Sequence, residues 1–204
     1  SMYLQAGKLR ALLDIGAGSL RQLAHVDAKA YQKLDVVYIS HHHTDHTADL
    51  RPLIQALNWT PGFVRTKELL VAGHPQLGPM LRDILKEAVH FKARFVPLRG
   101  TKRIKGIGLQ VSPGKHTETS LVLKVREGAK SLVYTADTEF NTKLQRFASG
   151  CNLFITENSF PGTQPSVGHL NAHDSGTLAR LVGAQRLLLT HIYPPADKVN
   201  LRKQ

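Results

Sequence analysis

An apolar run in this sequence passes straight into a histidine cluster: residues 34–40 read LDVVYIS, and residues 41–46 read HHHTDH, four histidines and one aspartate in six positions. A short apolar run of this kind reads as a buried strand, so the histidines stand where a strand ends. Residues i and i+2 of an extended segment point the same way, which lets His41 and His43 converge on one ion, while Asp45 and His46 follow where the chain turns. Imidazole nitrogen and carboxylate oxygen are donors that borderline cations such as Zn²⁺ accept, and two cations about 3.5–4 Å apart need a bridging carboxylate. A lone His-rich loop also reads as a polar cap. Three distant residues, each at the end of an expected strand or in its loop, make the metal site the better reading: His116 in SPGKHTETS, Asp137 in YTADTE and His191 in LLLTHIYPP.

Around these points the chain alternates strand-like and helix-like segments. LRALLDIGAGS reads as a strand ending in a Gly-rich turn, ADLRPLIQALNW as a helix, ELLVAG as a strand and residues 77–90 as a helix. RFVPL, GLQVSPG, TSLVLKVRE and SLVYTAD follow as strands separated by Gly or Pro turns. NTKLQRFAS then reads as a helix, NLFITEN as a strand, residues 171–182 as a helix and RLLLTH as a strand closed by a Pro-Pro breaker. Strands followed by helices in both halves predict an α/β fold, two sheets packed together with helices outside. The 204 residues, 42% hydrophobic, suffice for one domain spanning 1–204, with trimmed ends left open by the opening Ser-Met.

Composition narrows the function further. No apolar run of about 18 residues and no basic-then-apolar leader are visible, so the expectation is a cytoplasmic protein without a membrane partner. The one cysteine, Cys151, cannot form an internal disulfide and reads as a small buried residue. Lys plus Arg number 27 against 15 Asp plus Glu, a net charge of +12, with six basic residues between Lys92 and Lys105. Such a field attracts phosphorylated molecules, although a solvated basic face needs no partner. Aromatics are few, at 6%, which argues against stacking-based recognition of nucleic acid. His25, His74, His90 and His173 read as surface or loop residues.

The segment HHHTDH fits the HxHxDH signature of the metallo-β-lactamase superfamily, and HTETS, ADT and LTHIYP resemble its later motifs in order. The resemblance implies a four-layer αββα sandwich with its site at one edge between the sheets. It also implies a ligand division in which His41, His43 and His116 hold one metal, Asp45, His46 and His191 hold the second, and Asp137 bridges them. His42 is then not a ligand. Within the superfamily, metal-dependent β-lactamases usually carry Cys where this chain has Asp137. Glyoxalase II adds a helical domain for which no residues remain, and acyl-homoserine lactonases often carry Tyr where this chain has Phe140.

The nearer likeness is to ribonuclease Z and its phosphodiesterase relatives. LLDIGAGS is similar to their opening motif, FITENSF to their His-Glu-Ala-Thr-Phe segment, and GHLNAHDSGTLARLVGAQRLLLTH to the stretch joining a catalytic histidine to the last ligand. This implies that His169 stabilises or protonates the leaving group, that Glu157 orients it and favours its imidazolium, and that Asp14 fixes a ligand histidine from behind. Isoleucine stands for the family's cysteine after Asp14, and Thr156 for the histidine before Glu157. No long Gly-rich excursion between His46 and His116 could form the transfer-RNA-binding arm.

The expectation is a dinuclear metal-dependent phosphodiesterase of the arm-lacking group, acting on a small or cyclic phosphodiester or a short single-stranded nucleic acid. In that mechanism two divalent ions, Zn²⁺ first with Mn²⁺ and Fe²⁺ accepted by the same donors, lower the pKa of a bridging water, and Asp45 aims the resulting hydroxide. A lactonase or thioesterase on the same scaffold is the alternative. A non-catalytic basic nucleic-acid-binding module is a third reading, disfavoured by the full ligand set. A homodimer is common among the resembling proteins.

Overall fold

The computed structural model describes residues 1–164 and 167–201 and falls into two compact units, Ser1–Arg99 and Gly100–Gln204. The first unit is built on a five-stranded mixed sheet. In chain order it contains β1 (Met2–Ala6), β2 (Leu9–Leu13), α1 (Ser19–Val26), α2 (Ala30–Lys33), β3 (Val36–Ile39), α3 (Thr44–Thr47), α4 (Leu50–Trp59), β4 (Leu69–Gly73), α5 (Gly78–Leu85) and β5 (Ala93–Pro97). The strands lie side by side in that same order. β1 and β2 form an antiparallel hairpin, and β2 through β5 run parallel.

Every residue of β3 is buried, and it lies between two parallel neighbours in a sheet whose crossovers are helical. Such a strand loses the apolar–polar alternation and reads as a continuous apolar run, as VVYI does. α4 shows the helical counterpart: Leu50, Leu53, Ile54 and Leu57 recur at i, i+3, i+4 and i+7, and all four are buried in the core with Leu12, Val37 and Val71. Each such side chain contributes roughly 1.5–3 kcal/mol by leaving water. The helix expected over residues 77–90 is shorter, ending at Leu85.

The second unit carries a six-stranded mixed sheet. Its elements are β6 (Thr101–Ile104), β7 (Ile107–Pro113), β8 (Leu121–Glu127), β9 (Lys130–Tyr134), α6 (Lys143–Ala148), β10 (Leu153–Glu157), α7 (Ala172–Leu181), β11 (Leu187–Thr190) and α8 (Pro194–Asp197). The sheet runs from β11 through to β6 in reverse chain order. β6 to β9 are antiparallel neighbours, whereas β9, β10 and β11 are parallel. Phe154, Leu170, Leu178, Val182 and the buried Cys151 share its core. β11 ends at Thr190, ahead of the Pro-Pro pair, which instead opens α8, where proline's missing N–H costs nothing at the first helical turn.

Candidate metal centre

In the first unit the parallel register sets Leu13 of β2 beside Tyr38 of β3, so Asp14 and Ser40 leave neighbouring strands together. Asp14 is fully buried and receives three groups: the Ser40 N–H at 2.7 Å, the Ser40 hydroxyl at 2.8 Å and His46 Nδ1 at 2.8 Å. Ser40 Oγ also lies 3.0 Å from His41 Nδ1. With both Nδ1 atoms engaged by oxygen, His41 and His46 keep Nε2 as the lone-pair nitrogen that a metal requires.

His41 Nε2 stands 3.0 Å from His43 Nδ1. Two nitrogens about 2.0–2.1 Å from one tetrahedral ion lie about 3.3 Å apart, so this pair has the spacing of co-ligands. The extended backbone of His43 brings its ring round to His41, as the i, i+2 argument requires. Asp45 and His46 lie on the single turn α3, with Asp45 Oδ2 3.2 Å from His46 Nε2. Asp45 is exposed and His46 buried, while His42 is exposed. Gly16 explains why the DIGAG turn contains glycine. A Cβ there would sit 1.7 Å from the carbonyl oxygen of Asp45, and the neighbouring Ile15 N–H donates to His46 O at 2.9 Å.

In the second unit the three parallel strands β9, β10 and β11 end together, which is where ligands gather on parallel sheets. Asp137 follows β9, Glu157 ends β10 and His191 follows β11. The β7–β8 hairpin loop carries His116 to the same edge, since Pro113 pairs with Leu121 and Leu123 with Tyr134. Asp137 Oδ2 lies 3.3 Å from His191 Nε2 and 3.8 Å from His116 Nε2. Again the far nitrogens are engaged: His116 Nδ1 by Gly168 O at 2.7 Å and His191 Nδ1 by Ser159 Oγ at 2.9 Å. Both rings therefore present Nε2 toward Asp137.

Glu157, fully buried, accepts from the Thr138 N–H at 2.6 Å and the Ser159 hydroxyl at 2.5 Å. His169 Nδ1 lies 3.0 Å from its Oε2, and the His169 ring stacks on His191 with centroids 5.4 Å apart. The Asn171 side chain caps α7 by accepting the Asp174 N–H, and Ser175 on that helix donates to the Glu157 carbonyl at 2.8 Å. Of the four non-glycine residues with a left-handed backbone among those described, three are Asp14, Ala136 and His191. The fourth, Lys105, is in the β6–β7 turn. Such conformations cost of order 1–3 kcal/mol and persist where surroundings over-determine them, commonly at functional sites.

Each unit thus brings its own sequence-derived donors together. Sequence reasoning missed Ser40, Thr138, Ser159 and Gly168, whose parts depend on contacts that no local pattern encodes. Of the histidines assigned to the surface or loops, His25, His90 and His173 are exposed and His74 is half-buried at the start of a short 3₁₀ turn.

A family model described as a β-lactamase superfamily domain matches residues 10–192. The chain is similar to the probable metallo-hydrolase YhfI of Bacillus subtilis (strain 168), 32% identical over 223 residues that cover 100% of this chain and 84% of that protein. The crystal structure of YhfI, named as a metallo-β-lactamase fold protein, superposes with a TM-score of 0.86 at 30% identity, covering 98% of this chain and 81% of that one. Ribonuclease Z of Bradyrhizobium sp. (strain ORS 278) is 25% identical over 96% of this chain and 85% of its own length. Two mixed sheets flanked by helices, in the α/β class, are the architecture these relatives share with the chain.

Proposed function

Because the chain belongs to the β-lactamase superfamily as a metallo-hydrolase with the metallo-β-lactamase fold, related to ribonuclease Z, we propose that it is a dinuclear metal-dependent phosphodiesterase. In this reading His41, His43 and His116 would hold one divalent ion and Asp45, His46 and His191 a second, with Asp137 shared. The donor chemistry supports this, since His41, His46, His116 and His191 each have Nδ1 engaged by an oxygen of the chain, which reserves Nε2 for metal. Zn²⁺ fits these nitrogen and carboxylate donors, and Mn²⁺ and Fe²⁺ share them. When bound, such ions act as Lewis acids that offset phosphate charge and acidify water.

The chain's own residues supply the rest. Asp45, exposed on its turn, accepts a hydrogen bond from the attacking water and aims it. His169 holds a proton on Nε2 and gives it to the departing oxygen, while Glu157, 3.0 Å from Nδ1, fixes the ring. The observation that carries the phosphodiesterase reading is this Glu157–His169 pair, because a phosphodiester with an alkoxide leaving group needs a proton donor. Small or cyclic phosphodiesters and short single strands are the substrates that the net charge of +12 favours.

Hydrolysis of bis-p-nitrophenyl phosphate and of dithymidine monophosphate, set against a lactone and a thioester, tests the proposal. Turnover of both diesters is expected. His169→Ala should lower kcat on the dinucleotide by about 10²–10⁴, the range for general acid catalysis, and far less on the nitrophenyl ester, whose leaving group departs without a proton. Turnover confined to the lactone or thioester would overturn it in favour of an esterase-type reaction.

A further inference from the structure

Three segments of the second unit are joined by a carboxylate that the proposed chemistry does not use. Glu139 Oε1 accepts from the Gly168 N–H at 3.0 Å, its Oε2 pairs with the Lys115 ammonium, and its own N–H donates to Lys115 O at 2.8 Å. Gly168 is held from its other side as well, since its carbonyl accepts from His116 Nδ1 at 2.7 Å. It has a left-handed backbone, φ +81°, and a Cβ added there would lie 3.2 Å from that same His116 nitrogen. The next residue is His169. One side chain therefore connects the hairpin loop bearing His116, the segment bearing Asp137 and the loop that delivers His169.

We infer that Glu139 is a positioning residue for His169 and His116. By gripping the Gly168 N–H it fixes the peptide that precedes His169 and keeps the carbonyl that sets the His116 tautomer in place. It acts through these two histidines without touching substrate. A surface ion pair with Lys115 alone would contribute little and would not need a glycine amide. The Glu139 side chain is only 28% exposed, and its second oxygen is given to the backbone. The inference rests on the reading of His169 as proton donor.

The test is Glu139→Ala beside Glu139→Gln, assayed on dithymidine monophosphate and bis-p-nitrophenyl phosphate, with amide exchange at Gly168 followed in the metal-free protein. Loss of the grip should slow the dinucleotide about tenfold more than the nitrophenyl ester, because only the former depends on a well-placed acid. Glutamine keeps an oxygen to accept the Gly168 N–H, so it should restore most of that selectivity and keep the amide protected, whereas alanine should let it exchange faster. Should the alanine variant not fold, Glu139→Asp, which keeps the charge and shortens the reach, should show the same selective loss. Equal slowing of both substrates, or a glutamine variant no better than alanine, would overturn the inference. His169→Ala separates the two ideas. If it is selective and Glu139→Ala is not, the acid assignment stands and the positioning role fails; if His169→Ala is itself unselective, both fall.

Discussion

Replacing Asp14 by Asn tests one acceptor oxygen, Oδ2, which serves both His46 Nδ1 and the Ser40 hydroxyl. Asp14 has a left-handed backbone, φ 57°, which asparagine adopts readily, so the substitution leaves the turn unstrained. The remaining side-chain oxygen still accepts the Ser40 N–H, now at 2.7 Å. What changes is the atom 2.8 Å from both His46 Nδ1 and Ser40 Oγ, where an NH₂ replaces an acceptor oxygen. Two donors cannot face each other, so His46 shifts its proton to Nε2, the nitrogen needed for metal. A hydrogen bond to a charged group contributes about 1.5–3 kcal/mol, and loss of such a supporting partner lowers metal affinity about 10–100-fold, which is about 1.4–2.8 kcal/mol. The two estimates agree in size. Chelator competition for Zn²⁺, read alongside circular dichroism to establish an intact fold, should show that drop. A variant that folds and holds metal within about twofold of wild type would refute the tautomer argument.

Gly16→Ala should destabilise by at least about 3 kcal/mol, the top of the usual overpacking range, because its Cβ would sit 1.7 Å from the Asp45 carbonyl; denaturant midpoints measure it, and metal affinity should fall with it. Lys124 predicts a pH effect. It is buried, with Nζ donating to Phe147 O at 2.8 Å, and burial, helped by Arg126 and opposed by Cys151, lowers its pKa below the usual 10.5. The folded state then binds fewer protons than the unfolded one between the lowered value and 10.5, so this residue makes stability rise with pH across that window. Lys124→Met removes that slope: the thermal midpoint of wild type relative to the variant should climb as pH is raised toward about 10, and parallel curves would contradict it.

The elements that bury an apolar face were legible because their periods are strong. β3 and α4 follow directly from VVYI and from the i, i+3, i+4, i+7 leucine and isoleucine spacing. β6 was not legible, since TKRI is an exposed edge strand held only by its pairing with β7. α2 and α3 are single turns of four residues each, too short for a period to register. Among site residues, histidines and aspartates drew notice because they cluster as metal donors in HHHTDH and recur at strand ends, whereas Ser40 and Ser159 are ordinary until the fold sets each hydroxyl between a carboxylate and an imidazole. Glu139 shows the same limit. Its partner Lys115 is 24 positions away in the chain, and its other partner, Gly168, is 29.

Metal stoichiometry tests the central claim most directly. Protein purified without chelator and reconstituted with Zn²⁺, then freed of loosely held ions and measured by elemental analysis, should retain about two equivalents per chain, and His41→Ala or His191→Ala should lower that number. Protein that holds no ion after reconstitution, or the same content in both variants, would contradict the dinuclear centre.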